Sequence, residues 1–270
     1  MGFLEEVVGE ARREVENADY GSGVAPLPSG SDSRRSFSSA ILADSKDGAL
    51  VVEYKRASPG QPRPNLPTRT VSEFLERTRH AGATAYSCLA TRSRFDGSPF
   101  DVRDLAGLSK RPVLFKDFVV DRRQIDLAAR CGAGAVLLIA RLEEMGFLRE
   151  PLAALAEHAH RLGLEVLLEF HARTELSRAS GVGADVYGVN SRDLDSLSID
   201  RATAEATLLE AVRRGFRPLL GLSGVEGRAD AQRFWRTGVD GILVGTAVAR
   251  SSDPAKFLST LRRTEAGGSR

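Results

Sequence analysis

Glu53 and Lys55 lie in the stretch LVVEYKRASPG, residues 50–60, where an apolar run passes straight into charge and then a Ser-Pro-Gly turn. A buried charge is costly unless it is paired or used. Side chains two apart in a strand share a face, so the carboxylate and the ammonium point the same way. Such a pair is either a structural ion pair or the start of an acid–base site. Other polar residues close similar apolar runs: Lys116 and Asp117, with Phe118 following, in VLFKDF, Glu169 and His171 in VLLEFH, Asn190 and Arg192 in YGVNSRD. Two lysines and two carboxylates meeting at one place suit proton transfer. A lysine between apolar walls is expected to have its pKa lowered until it both gives and takes protons. Lysine is scarce here. Lys46, Lys55, Lys110, Lys116 and Lys256 are the only five among 38 basic residues, so a lysine at a strand exit carries more information than in a lysine-rich chain.

The elements that must position these residues begin at residue 49. Eight apolar runs (ALVVEY, TAYSCLA, PVLFKDF, GAVLLIA, LEVLLEF, DVYGVN, RPLLGLS and DGILVG) alternate with segments of helical period. Near-continuous apolar strands are covered on both faces, as in a parallel sheet. Eight strand–helix units in about 220 residues predict an α/β fold, a closed (β/α)8 barrel over residues 49–270. No G-x-G-x-x-G follows the first strand, which speaks against an open doubly wound sheet. Residues 1–48 predict an N-terminal helical extension: an amphipathic helix, a Gly/Pro/Ser-rich stretch and a short helical piece, RSFSSAILAD.

In such a barrel the site lies at the C-terminal strand ends. Glu53, Lys55, Lys116, Glu169 and Asn190 then face one mouth, with Ser58 just beyond the first strand. Ser223 and Gly224 after strand 7, and Gly245 and Thr246 after strand 8, are expected to bind phosphate through backbone N–H groups. Asp117 is expected to anchor the next loop. His171 fits the site and a structural use equally. His80, His158 and His160 read as surface residues and Trp235 as packing. Cys88 and Cys131 read as buried free thiols, since neither has metal-ligand spacing.

Composition sets outer limits. The 270 residues are 42% hydrophobic and 27% charged, with a net charge of +2 and no aromatic-interleaved basic stripe, so no nucleic-acid partner is expected. No apolar run reaches membrane-spanning length. MGFLEEVVGEARREVE is a charged amphipathic helix rather than a signal peptide, and Glu fills the usual Ser/Thr position of a myristoylation signal. A cytoplasmic protein without membrane contact is expected.

The constellation resembles the indole-3-glycerol phosphate synthase family. EYKRASP, PVLFKDFVV, LLIA, LEFH, GVNSRDL, LSGV and GILVGTAV carry the resemblance in family order, over about residues 36–262. SRFDGSPFDV is similar to the family's aromatic-Gly-Ser loop. The resemblance implies ring closure of 1-(2-carboxyphenylamino)-1-deoxyribulose 5-phosphate with loss of CO2 and water, needing no cofactor and no metal. Lys116 would be the general acid on the substrate carbonyl oxygen. Lys55 would neutralise substrate anions and serve as an acid in the dehydration. Glu53 would hold Lys55, or take a proton late. Glu169 would be the base or the partner of the developing amine cation, and Asn190 would fix substrate oxygens. Ser58, Ser223, Gly224, Gly245 and Thr246 would cradle the phosphate with Arg192 nearby, and Phe95 and Phe118 would wall the anthranilate ring. Association with other tryptophan-pathway enzymes also fits the resemblance.

The chain departs from the family at Leu222, where Glu is common, and at Gly60, where Ser is usual. EFHARTEL is only loosely like the family's strand 5 exit. Glu226 is the nearest carboxylate in sequence that could replace the missing one. Two other function classes stay open: a different enzyme on the same barrel, such as a sugar-phosphate isomerase or Schiff-base aldolase, and a non-catalytic binder of a phosphate ligand. The Pro- and Arg-rich loop 56–69 reads as a static loop or a lid.

Overall fold

The computed structural model describes residues 2–27, 35–59, 70–78 and 81–263. His80, Gly60 and most of the loop 56–69 lie outside the described residues. Eight strands form a closed, all-parallel barrel in sequence order: β1 (Ala49–Tyr54), β2 (Ala85–Leu89), β3 (Val113–Lys116), β4 (Ala135–Ile139), β5 (Glu165–Phe170), β6 (Val186–Asn190), β7 (Leu219–Leu222) and β8 (Gly241–Val244). β1 closes it against β8, with Val51 beside Leu243 and Val52 beside Val244. Parallel neighbours need a crossover, and helices supply most of them. The chain between β5 and β6 is the exception. Its ARTELSRAS stretch reads as a helical unit but forms only a 3-10 segment, Arg173–Ala179. Leu176 is its one buried apolar side chain, Ser177 Oγ donates to the Thr174 carbonyl, and Gly181 and Gly183 follow at positive φ. Two short helices, Ala140–Glu144 and Thr246–Arg250, have no counterpart in the sequence pattern, because five residues are too few to show a period.

Alternate strand residues divide the core in two. Val51, Leu114, Leu137, Leu167, Val186, Leu220 and Leu243 fill the barrel interior, while Leu50, Val52, Phe115, Val136, Leu168 and Val189 pack outward against the helices. The N-terminal segment joins the interior cluster from both ends. Its first helix, α1 (Phe3–Glu16), buries Leu4, Val7, Val8, Ala11 and Val15, a stripe at three- and four-residue spacing. It lies over the mouth: Glu6 pairs with Arg94, Glu16 with Arg149, and Arg12 donates to the Phe147 carbonyl from Nε at 3.2 Å. The second helix, α2 (Phe37–Asp44), lies at the opposite end with Phe37 and Ile41 fully buried. Glu165 at the start of β5 accepts from the Ser38 backbone N–H at 2.6 Å, and Asp44 accepts from Thr84 at 2.6 Å. No described helix is long and apolar enough to cross a membrane.

The loop after β2 is a tight structure that aims a ring into the mouth. Arg94 and Asp96 have φ of 61° and 51°, and Ala57 at the β1 exit donates to the Phe95 carbonyl at 3.2 Å. A Cβ on Gly97 would meet the Thr91 carbonyl at 2.6 Å and the Leu89 carbonyl more closely still. Both are backbone atoms that cannot step aside. Gly97→Ala is therefore expected to destabilise by about 3 kcal/mol through overpacking, read as a lower urea midpoint. An unchanged midpoint would show that the loop has slack.

Candidate active site

Glu53, Lys55 and Lys116 form one charged group at the floor of the mouth. Glu53 Oε1 lies 2.9 Å from Lys55 Nζ, and Oε2 lies 3.3 Å from Lys116 Nζ. The carboxylate is 4% exposed, and the two lysine side chains are 13% and 20% exposed. Burial alone would push the Glu53 carboxyl up, but Lys116 and then Lys55 outweigh it and hold it at about 2. Lys116 departs from the sequence-based expectation. Burial pulls its ammonium down, yet the Glu53 and Glu169 carboxylates win and leave it above the ordinary lysine value. The expected lowering rested on apolar walls, whereas Lys116 faces two carboxylates contributed by β1 and β5. It is held charged, as a proton donor.

Gly245, just past β8, makes room for this group. A Cβ there would stand 2.7 Å from Glu53 Oε1 and 3.2 Å from Lys55 Cε. Glu169, 2% exposed, stands across the mouth on β5. Its Oε1 accepts from Asn190 Nδ2 at 2.9 Å, and its Oε2 has no hydrogen-bond partner among the described residues. Burial raises its pKa, against the opposing pull of Lys116 and the Asn190 hydrogen bond. A raised carboxyl with one open oxygen can take a proton from a bound molecule.

These residues line one cavity of about 520 Å3, together with Ser58, Phe95, Phe118, Arg192, Ser223, Gly224, Gly245 and Thr246. Ser58 Oγ and Thr246 Oγ1 are 3.1 Å apart. Ser223 and Gly224 follow β7 with φ of 63° and 75°, and a non-glycine residue in that region is strained. Arg192 donates from Nη1 to the Leu197 carbonyl at 2.5 Å and is half-buried, which lowers its pKa. On the other flank the rings of Phe95 and Phe118 are 6.1 Å apart. Sequence reasoning missed a third ring. Phe3 of α1 also lines the cavity, 6.4 Å from Phe95. Its signal was an aromatic residue in the first turn of an amphipathic helix, which says nothing by itself about what it covers. Leu137, Ile139 and Leu194 add apolar lining that a sequence cannot tell from core.

Several residues serve structure. Asp117 accepts from Thr91 at 2.6 Å, from the Phe118 N–H at 2.9 Å and from Gln124 at 3.0 Å, tying the loops after β2 and β3 together. His171 is turned to the main chain of β6, with Nδ1 2.9 Å from the Asn190 carbonyl. His158 is half-buried against Asp126 at 2.7 Å, so it is not a free surface residue, and His160 reaches Asp185 at 2.8 Å. Trp235 donates to the Leu261 carbonyl at 2.9 Å and packs partly buried against the core, with its ring beside Gly48 and under Arg263. Cys88 and Cys131 are buried thiols whose pKa values are pushed up by burial. Among the described residues, no group of three His, Cys, Asp or Glu could hold a metal ion.

Leu222 is 1% exposed at the end of β7. A Cβ on Gly188 would meet Leu222 Cδ1 at 2.8 Å, so the leucine leans across β6 through the space that glycine leaves, beneath Asn190. Glu226 lines the cavity from an exposed position on the loop after β7, where its charge is felt by Arg192.

The family model for indole-3-glycerol phosphate synthase matches residues 4–261. Relatives bearing that name include one from Exiguobacterium sibiricum, 34% identical over 267 residues, covering 97% of each chain. One from Staphylococcus saprophyticus is 31% identical over 98% of this chain and 99% of its own. One from Deinococcus radiodurans is 34% identical over 94% and 92%. Among solved structures, 3-hexulose-6-phosphate synthase superposes with a TM-score of 0.59 at 15% identity, over 79% of this chain and 97% of its own. Thiamine phosphate pyrophosphorylase from Pyrococcus furiosus gives 0.57 at 20% identity, over 81% and 95%. At those identities the likeness is one of fold.

Glu53→Gln would leave two ammonium groups at the floor without their counter-ion. The expected cost at pH 7 is about 3 kcal/mol, read by urea denaturation. The depressed carboxyl contributes stability above its ordinary value of 4.5, and that contribution fades as pH falls toward about 2. The parent should lose stability through that window and the variant should lose less. Equal slopes would mean Glu53 is not held by the lysines.

Proposed function

The chain belongs to the indole-3-glycerol phosphate synthase family, and we propose how its mouth performs that family's ring closure. The protein is a carboxy-lyase of tryptophan biosynthesis. It converts 1-(2-carboxyphenylamino)-1-deoxyribulose 5-phosphate to indole-3-glycerol phosphate, CO2 and water. One observation carries the assignment of roles: Glu53 bridges both lysines at the floor, midway between an aromatic flank and an anion-binding flank.

The substrate lies with its anthranilate ring against Phe95, Phe118 and Phe3, on the β2–β3 side. Its phosphate sits on Ser58, Ser223, Gly224, Gly245 and Thr246, on the β7–β8 side, with Arg192 nearby. The ketose chain then crosses Glu53 and Lys55. Lys116 gives its proton to the ketone oxygen as the carboxyl-bearing ring carbon attacks the carbonyl carbon. CO2 leaves from that ring carbon and its bonding pair restores the aromatic ring. The hydroxyl formed from the ketone departs as water with a proton from Lys55. Glu169 takes the proton lost from the carbon next to nitrogen, which completes the second ring, and Asn190 steadies the oxygen in flight. Glu53 stays ionised throughout and holds Lys116 charged until it donates. Leu222 supplies no carboxylate, so Glu169 is the floor's base. Association with other tryptophan-pathway enzymes and a cytoplasmic location belong to the same reading, and no described surface is assigned to a partner.

Indole fluorescence on mixing with the substrate tests the roles. Lys116→Met should lower kcat at least a hundredfold, the usual yield of a general acid, and change KM far less. Binding of substrate with no turnover by the parent protein would overturn the assignment. A second measurement concerns pH. Because Glu169 must be ionised to accept a proton and its pKa is raised, kcat should fall on the acid side above an ordinary glutamate value. Glu169→Gln should remove that limb along with most of the rate.

A further inference from the structure

His171 is held on three sides without facing the cavity. Its backbone N–H donates to Glu175 Oε2 at 2.7 Å, and Glu175 is 5% exposed. Its ring Nδ1 is 2.9 Å from the Asn190 carbonyl, which can only accept, so Nδ1–H is the donor. Its Nε2 is 3.4 Å from Asp193 Oδ2. Asp193 is fixed by the N–H groups of Asp195 and Ser196 and by Arg141 from the helix after β4. The ring is 12% exposed.

Asn190 is the residue this arrangement acts on. It ends β6, and its amide is caught at both atoms: Oδ1 accepts from the Arg192 N–H at 3.0 Å, and Nδ2 donates to Glu169 at 2.9 Å. The β5–β6 ladder pairs Glu169 with Gly188 and Phe170 with Val189, and there it stops. The His171 ring supplies the next rung in place of a backbone bond. It carries the pairing of β5 and β6 up to the residue whose amide meets Glu169.

We propose that His171 is a positioning residue for the ring closure: by fixing the Asn190 carbonyl it holds the Asn190 amide against Glu169. This rests on the roles given above to Asn190 and Glu169. Without the ring, the β5 side of the pairing ends one rung lower, and Asn190 is anchored along its main chain only on the β7 side, through Leu222. Misplacing a catalytic group by about 1 Å can cost a hundredfold in rate, and the partial loosening here is expected to cost about tenfold.

Two amide variants separate the ring's contacts. His171→Asn puts an amide N–H where Nδ1 was, within reach of the Asn190 carbonyl. His171→Gln reaches toward Asp193 instead. Positioning predicts that the Asn variant keeps most of kcat and that the Gln variant loses about tenfold in kcat with KM within twofold. The Gln change should also have no further effect in an Asn190→Ala background, because its route runs through Asn190. Equal kcat for the two amide variants, or a Gln penalty undiminished in that background, would overturn the proposal. Should the Gln variant fail to fold, loss of rate in a folded Asn variant would overturn it by itself, and retained rate would support it. Full activity of Asn190→Ala alone would instead refute the role given to Asn190, a separate failure from a His171 that proves dispensable.

Discussion

Three charges share the floor of this barrel, and the rest of the mouth is built around keeping them there. A carboxylate this deeply buried is tolerable only because two ammonium groups meet it from different strands, one on each oxygen. That requirement fixes the register of β1, so that Glu53 and Lys55 point inward together. It requires β3 to end on Lys116 and requires the residue after β8 to have no side chain. The same group sets the chemistry. On the proposed roles Glu53, which pairs with two lysines, is not the proton acceptor, and Lys116, held charged by Glu53 and Glu169, is not a base. In the proposed reaction proton acceptance falls to Glu169, whose pKa is raised by burial and whose Oε2 has no hydrogen-bond partner among the described residues.

Much of this was legible in the residues. Eight apolar runs became eight strands because a parallel barrel buries both faces of each strand, and the polar residues at their ends met because the fold puts all those ends on one side. Lys116 was placed correctly, but its pKa was expected to shift the wrong way. Strand order says which residues meet, whereas the sign of a pKa shift depends on distances to charges from other strands. Phe3 was invisible for a related reason. Its helix period shows that α1 has an apolar face, but only packing decides that the face lies across the mouth. The segment between β5 and β6 failed the other way, since its composition allowed a helix that a single buried leucine could not hold.

Leu222 and Gly188 show how the interior absorbs a change of residue type. Leu222 does not stand in the cavity as a carboxylate there would. It tips over the glycine of the neighbouring strand and becomes core. The mouth therefore has an acid–base side, from β1 through β3 to β5, and a side on β7 that contributes backbone and hydroxyl groups. Arg192 and Glu226 sit at the rim of that second side.

The N-terminal segment touches both ends of the barrel, with α1 across the mouth and α2 at the base. Its contacts are with residues made later: Arg94, Phe147, Arg149 and Glu165. During synthesis the N-terminal residues are thus made well before the partners that fix them. β1 also waits for β8, nearly 200 residues downstream, before it has its second neighbour. Phe3, the third aromatic ring of the cavity's β2–β3 flank, is in position only on a chain whose later loops have already formed. A half-made chain carries Lys55 and Lys116 but lacks the β8 neighbour that closes the barrel around them, so the charged group and its cavity exist together only once the last strand is in place.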